Sequence, residues 1–154
     1  MEYSNLSQEM NLPQSDFAEM AVLGSVLMEP GLLYEVSQVI KMEDFYKDSH
    51  KKIYKVMYTL LEEGREIDLI TVSNALKSEG ILEAVGGAAY LTVLCDTVPS
   101  AANALSYAHI IKDKAVKRRL IAISDRISHE AQAEEKDASL LLDEAESEIY
   151  QLNQ

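Results

Sequence analysis

The sequence predicts an all-α protein: a globular multi-helix head followed by an antiparallel helical hairpin. Three observations carry this. The apolar residues are mostly Leu, Ile, Val, Ala and Met, with no Trp and only two Phe, a composition suited to helix-on-helix packing. They recur at spacings of three and four along most of the chain. After Ser100, residues 101 to 131 contain no Gly or Pro, so one long helix is expected where the preceding segments are short and punctuated.

Taken in order, residues 1 to 14 are polar and aperiodic, closed by Pro13, and read as a mobile tail. Asp16 with Glu19 makes a capping-box pattern, and Phe17, Met20, Ala21, Leu23, Val26 and Leu27 follow at helical spacing. Gly24 in mid-helix costs about 1 kcal/mol relative to Ala, so close packing against another helix is expected there. Glu29-Pro30-Gly31 ends this helix, and Leu32, Leu33, Val36, Val39 and Ile40 make the next. Met42 to Tyr46 reads as a turn whose aromatics anchor in the core. A third helix runs from Asp48, as N-cap, through Ile53, Val56, Met57, Leu60 and Leu61 to a stop at Gly64. Asp68 opens a short helix with Val72, Ala75 and Leu76, stopped at Gly80. Gly86-Gly87 bends into a helix holding Tyr90, Leu91 and Leu94. The head is therefore expected over residues 15–100 and the hairpin over 101–154.

Within the hairpin, Val116, Leu120, Ile123, Ile127 and Ala131 form one stripe, and Ala138, Leu142, Ala145, Ile149 and Leu152 form another beyond the polar segment 132–136. Two such helices on a short loop are antiparallel neighbours. Ile110, Ile121, Leu141 and Tyr150 lie off both stripes. Either they face the globular body or they form an exposed apolar patch, for which a second copy of the hairpin is the simplest partner.

The net charge of −12, from 26 acidic against 14 basic residues, argues against free nucleic acid as a direct partner. The basic groups Lys112, Lys114, Lys117, Arg118, Arg119 and Lys47, Lys51, Lys52, Lys55 sit on helices among acids and read as solvated faces. Cys95 is the sole cysteine and lies in an apolar run, where it acts as a small hydrophobe; this fits a reducing, cytoplasmic setting. No secretory signal is expected at the N-terminus, and no apolar run approaches the roughly 20 residues that span a bilayer.

Chemistry is hard to find. None of the six glycines opens a phosphate-binding loop; Gly86-Gly87 has no lysine in reach. His50, His109 and His129 lack ligand partners at metal-binding spacing and are expected at helix surfaces or boundaries. Asp143, Glu144, Glu146 and Glu148 spread around an exposed helix side. No catalytic, cofactor or metal residues are therefore assigned, and a free-standing enzyme is the least supported reading.

Several short motifs, in order, carry a resemblance. They are Pro13-Gln14-Ser15 with Ala18 to Gly24, Asp44-Phe45-Tyr46 with His50 and Ile53, and Gly64 to Asp68 with Thr71. Gly86-Gly87 with Tyr90-Leu91, Val98 to Asn103, Tyr107-Ala108 and Arg118 to Ile121 follow. Together they closely resemble the N-terminal domain of the bacterial replicative hexameric DNA helicase, the DnaB family, over residues 13 to about 152. Phe17 departs from the pattern, standing where family members commonly carry an acidic residue.

The resemblance implies a helical head and an extended hairpin. It also implies pairing of hairpins between subunits, giving a dimer that becomes a trimer of dimers in the collar of the hexamer. The collar receives the helicase-binding domain of primase and, in some systems, a loader. ATP, Mg and DNA are expected to engage the family's C-terminal motor, which this chain lacks; the chain is expected to end just before the linker to it. On this reading Ile110, Ile121, Leu141 and Tyr150 serve hairpin pairing, with Arg118 and Arg119 adding charged contacts. The alternative for the arginines is snorkelling from a helix face. The alternative for the whole chain is the helicase-binding adaptor domain of a primase, which has a similar head-and-hairpin architecture.

Overall fold

The computed structural model describes residues 11–154, and among these every regular element is helical. The expectation of a mobile tail over residues 1–10 lies outside the described residues. Residues 11–14 are not free: Leu12 is buried, and the Pro13 carbonyl accepts a hydrogen bond from Arg118 Nη1 at 2.8 Å.

Helix α1 (Asp16–Met28) starts where Ser15 Oγ accepts from the Ala18 amide at 3.1 Å. Ser15, rather than the predicted Asp16–Glu19 pair, is thus the cap, and Glu19 is freed for a different task described below. Nine residues of α1 are buried, from Ala18 and Glu19 through Ala21 to Leu27, so the helix is enclosed nearly all round. Such a helix needs neighbours on every side. Gly24 makes room for one of them, α5 (Gly87–Cys95). A Cβ built at Gly24 would stand 2.0 Å from the Leu94 carbonyl oxygen, so the two helices touch backbone to backbone. The close packing expected from the sequence is present.

Helix α2 (Leu32–Ser37) inserts Leu33 and Val36. A single 3-10 turn, Met42–Asp44, follows, closed by Asp44 Oδ2 accepting from the Lys41 amide at 2.8 Å, and it delivers Phe45 into the core. Helix α3 (Asp48–Glu62) begins with Asp48 inside it rather than as its cap, and buries His50, Ile53, Tyr54, Val56, Met57 and Leu60 along one side. The buried Tyr54 hydroxyl donates to the Ile40 carbonyl at 3.0 Å. Burial, with Asp44 and Tyr58 adding, raises its pKa, so the phenol stays a donor. Helix α4 (Leu69–Ser78) opens on a reciprocal cap. Asp68 Oδ1 accepts from the Thr71 amide at 2.8 Å, and Thr71 Oγ1 accepts from the Asp68 amide at 2.9 Å. The predicted stops at Gly64 and Gly80 have φ of +67° and +73°, the left-handed conformation that ends helices with little cost only at glycine.

Helix α6 (Ala104–Ala133) is the long helix, and α7 (Ala138–Leu152) the last. The chain divides into two compact units: residues 14–113, and residues 11–13 with 114–154. The sequence-based boundary at residue 100 assigns all of α6 to the hairpin. In the structure Ala104, Ala108 and Ile111 belong to the head core with Leu23, Phe45, Met57 and Leu91. Within the head, Lys112 Nζ lies 3.4 Å from the buried Asp44 carboxylate.

Candidate interaction surface of the hairpin and the buried relay of the head

The hairpin unit is built by the second half of α6 and by α7, turning through residues 134–137. Glu134 takes the left-handed position that closes α6, with φ of +54°. A side chain is strained there, so Glu134→Gly is expected to stabilise the chain by about 0.5–1 kcal/mol, read as a higher midpoint in thermal unfolding. An unchanged or lower midpoint would count against the assigned turn. Ion pairs join the two helices: Arg126 pairs with Glu148 of α7 and with Glu130 at 3.7 Å, and Lys136 reaches Glu130 at 3.3 Å and Glu144 at 3.1 Å. Hydrogen bonds from Lys136 to Glu144 and Glu130 raise its pKa, holding it charged.

The side of α7 that carries these acids is the one turned toward α6. Leu141, Glu144, Ala145, Glu148 and Leu152 are its half-buried residues and share one helical face. Leu142 and Ile149, placed by the sequence in the inner stripe, are instead 68% and 46% exposed. On α6 the predicted stripe holds at Val116, Ile123 and Ile127, which are buried or half-buried, while Leu120 is exposed and Ile121 half-buried.

The six residues expected at the pairing surface therefore have different fates. Tyr150 is 66% exposed, and Ile110 is exposed on the part of α6 that belongs to the head. Leu141, Ile121 and Arg119 are half-buried. Arg118 requires correction: it is 2% exposed and holds the Pro13 carbonyl, so it neither meets a partner nor snorkels to solvent. Burying a guanidinium is costly unless its donors are met, and the backbone at Pro13 meets one of them.

What sequence reasoning missed lies in the head. His50, expected at a surface or boundary, is fully buried. Its Nδ1 lies 2.7 Å from Glu19 Oε1, and its Nε2 lies 2.6 Å from the Tyr90 hydroxyl, with the two rings stacked at 5.9 Å and 10°. Glu19 also accepts from the Tyr46 amide at 2.7 Å and the Lys47 amide at 3.3 Å. A carboxylate only accepts, so Nδ1 carries the proton toward Glu19, and in neutral imidazole Nε2 accepts from Tyr90. Burial, with Asp16 and Glu19 adding, raises the Tyr90 pKa and keeps it a donor. The relay ties α1, α3 and α5 together. It resembles a catalytic chain in its connectivity, but it ends on a phenol whose proton is held tightly, which suits a structural tie rather than a nucleophile. The signal in the sequence was the shared presence of Glu19, His50 and Tyr90 in the family-like motifs.

Cys95 is half-buried, and burial, with Asp96 adding, raises its thiol pKa, so it is a poor nucleophile. Among the described residues no group of three or more His, Cys, Asp or Glu is placed to hold a metal ion, and no helix is long and apolar enough to cross a membrane.

Comparison with known proteins agrees with this architecture. The family model of the DnaB-like helicase N terminal domain matches residues 11–113. The replicative DNA helicase DnaB of Geobacillus stearothermophilus is 40% identical over 151 residues, covering 98% of this chain and 33% of that protein. Replicative DNA helicase DnaC of Bacillus subtilis (strain 168) is 41% identical over 142 residues, covering 92% of this chain and 31% of that protein. The chain thus spans about a third of the length of the curated relatives it matches. The crystal structure of the N-terminal domain of DnaB helicase from Mycobacterium tuberculosis superposes with a TM-score of 0.86 at 36% identity, covering 92% of this chain and 99% of that one. These are helicase domains, which decides against the primase-adaptor alternative. The chain belongs to the family of DnaB-like helicase N-terminal domains.

Proposed function

We propose that this domain is an assembly and docking module of a replicative DNA helicase, pairing with a second copy of itself through the exposed apolar side of the hairpin. One observation carries the reading. Helix α7 has no fully buried residue, yet it exposes Leu142, Ile149 and Tyr150. A 15-residue helix is marginal without a packed face. Bulky apolar groups left in water on such a helix favour association, each worth about 2 kcal/mol when covered. A two-fold contact lets one patch cover itself. In the parent protein such dimers would build the trimer-of-dimers collar of the hexamer. Primase docking is the second part of the proposal, supported by a DnaB-like replicative helicase whose structure was described with its interactions with primase. That helicase shares 29% identity with this chain and a TM-score of 0.73, covering 90% of this chain and 31% of that one. A loader is a further candidate partner. ATP and Mg would belong to the helicase motor, and DNA would be engaged through the whole protein.

Sedimentation equilibrium of the chain tests the pairing. A dimer is expected, and Leu142→Asp with Ile149→Asp should weaken it roughly a hundredfold or more while helicity is retained. A wild-type chain that stays monomeric at high concentration, or a dimer indifferent to both substitutions, would sink the reading.

A further inference from the structure

The hairpin unit separates its charges along its length. Residues 114–120 of α6 carry four basic residues and no acid, whereas residues 121–154 carry nine acids and two bases. Both of those bases, Arg126 and Lys136, are spent on acids of the hairpin itself. Helix α7 has no basic residue. Two of its four acids, Glu144 and Glu148, are turned toward α6. The other two, Asp143 and Glu146, are exposed and stand in no ion pair among the described residues. They lie among Leu142, Ile149 and Tyr150, the exposed apolar groups of the same helix.

The far end of the unit has the opposite sign. Arg118 is spent on the Pro13 carbonyl, but Lys117 is exposed, and Lys114 and Arg119 are half-buried. The segment stays basic even when Asp113, just before it, is counted. Leu120 is 40% exposed and, three residues after Lys117, shares its face of α6. Within one chain the two groups cannot meet. Arg126 stands opposite Glu148, and Glu130 and Glu144 share Lys136, so Glu146 is level with about Ser128 of α6. That is roughly 16 Å along the axis from Lys117, at about 1.5 Å per residue.

This separation constrains how two copies pair. With α7 laid on α7, Asp143 and Glu146 would meet the same acids of the second copy, and like charges in apposition are costly. Reversed end to end about a two-fold axis, each α7 lies on the basic end of the other copy's α6, and the favourable contact occurs twice. We infer that the hairpins pair antiparallel, with Leu142, Asp143 and Glu146 of one copy against Lys114, Lys117 and Leu120 of the other. The inference rests on the pairing reading above and adds its direction and register.

Sedimentation equilibrium tests it on the chain and on charge-reversed variants. Wild-type pairing should weaken about threefold or more as salt rises from about 0.05 M to about 0.5 M, because the charges it joins are solvent-accessible. Lys114→Glu with Lys117→Glu, and separately Asp143→Lys with Glu146→Lys, should each weaken pairing about tenfold or more. A chain carrying all four substitutions exchanges the two signs and should pair within about threefold of wild type. Circular dichroism checks that each variant keeps its helices. A dimer that tightens with salt, a Lys114→Glu, Lys117→Glu variant that pairs like wild type, or a four-substitution chain no tighter than either pair would overturn the register and leave pairing intact. A wild-type chain that never pairs would overturn both.

Discussion

Replacing Gly24 with alanine is expected to destabilise the head by about 2 kcal/mol or more, lowering the thermal midpoint by about 4–8 °C. By helix propensity alone the substitution should help, by about 1 kcal/mol. Packing reverses the sign. The new Cβ would stand 2.0 Å from the Leu94 carbonyl oxygen and 2.8 Å from its carbonyl carbon, and neither backbone atom can rotate out of the way. Helices α1 and α5 must then separate, and Tyr90 on α5 is drawn from His50 on α3. Differential scanning calorimetry reads the stability, and the His50 ring resonances read the second effect. A midpoint at or above wild type would mean that the two helices do not cross at Gly24.

Loss of the Glu19 carboxylate should have an effect of similar size or greater. Glu19→Ala leaves three donors without this acceptor: the buried His50 Nδ1 and the part-buried amides of Tyr46 and Lys47. A buried donor left without its acceptor costs about 1–3 kcal/mol, and more than one is orphaned here. Glu19→Gln retains one acceptor oxygen and should be milder. Tyr90→Phe removes the hydroxyl that satisfies His50 Nε2, costing about 1–3 kcal/mol because the ring and its stacking remain. Urea unfolding of the three variants should therefore rank Glu19→Ala as the most damaging. If Glu19→Ala stayed within about 0.5 kcal/mol of wild type, the relay would not be the tie among α1, α3 and α5 that its geometry indicates.

Much of the head is legible in the sequence. Gly64 and Gly80 stop their helices and Asp68 caps α4 with Thr71, because each effect is a property of a few consecutive residues; Gly24 in mid-helix marks a close crossing without naming its partner. The hairpin is legible as two helices but not in rotation. Leu140, Leu141 and Leu142 are consecutive, so stripes through Leu141 or Leu142 fit the apolar spacing almost equally well. Counting apolar residues favours Leu142; the structure turns Leu141 inward, on the side where Glu144 and Glu148 reach Lys136 and Arg126. The charge pattern across the two helices agrees with the rotation that apolar periodicity within one helix left open.

The relay and the buried Arg118 are of a different kind. His50 lies 31 positions from Glu19 and 40 from Tyr90, and Arg118 meets Pro13 across 105. No local period marks such contacts, and a lone polar residue on a helix reads as solvated unless its distant partner is known.

By itself, then, the sequence determined the helical class, the order and ends of most elements, and the family, since these depend on spacing, caps and motifs that act over a few residues. The tertiary structure alone decided the orientation of the hairpin helices and the burial of His50 and Arg118. The burial of these two side chains depends on which groups from distant parts of the chain share a low-dielectric interior, where an unmet charge or hydrogen bond is costly.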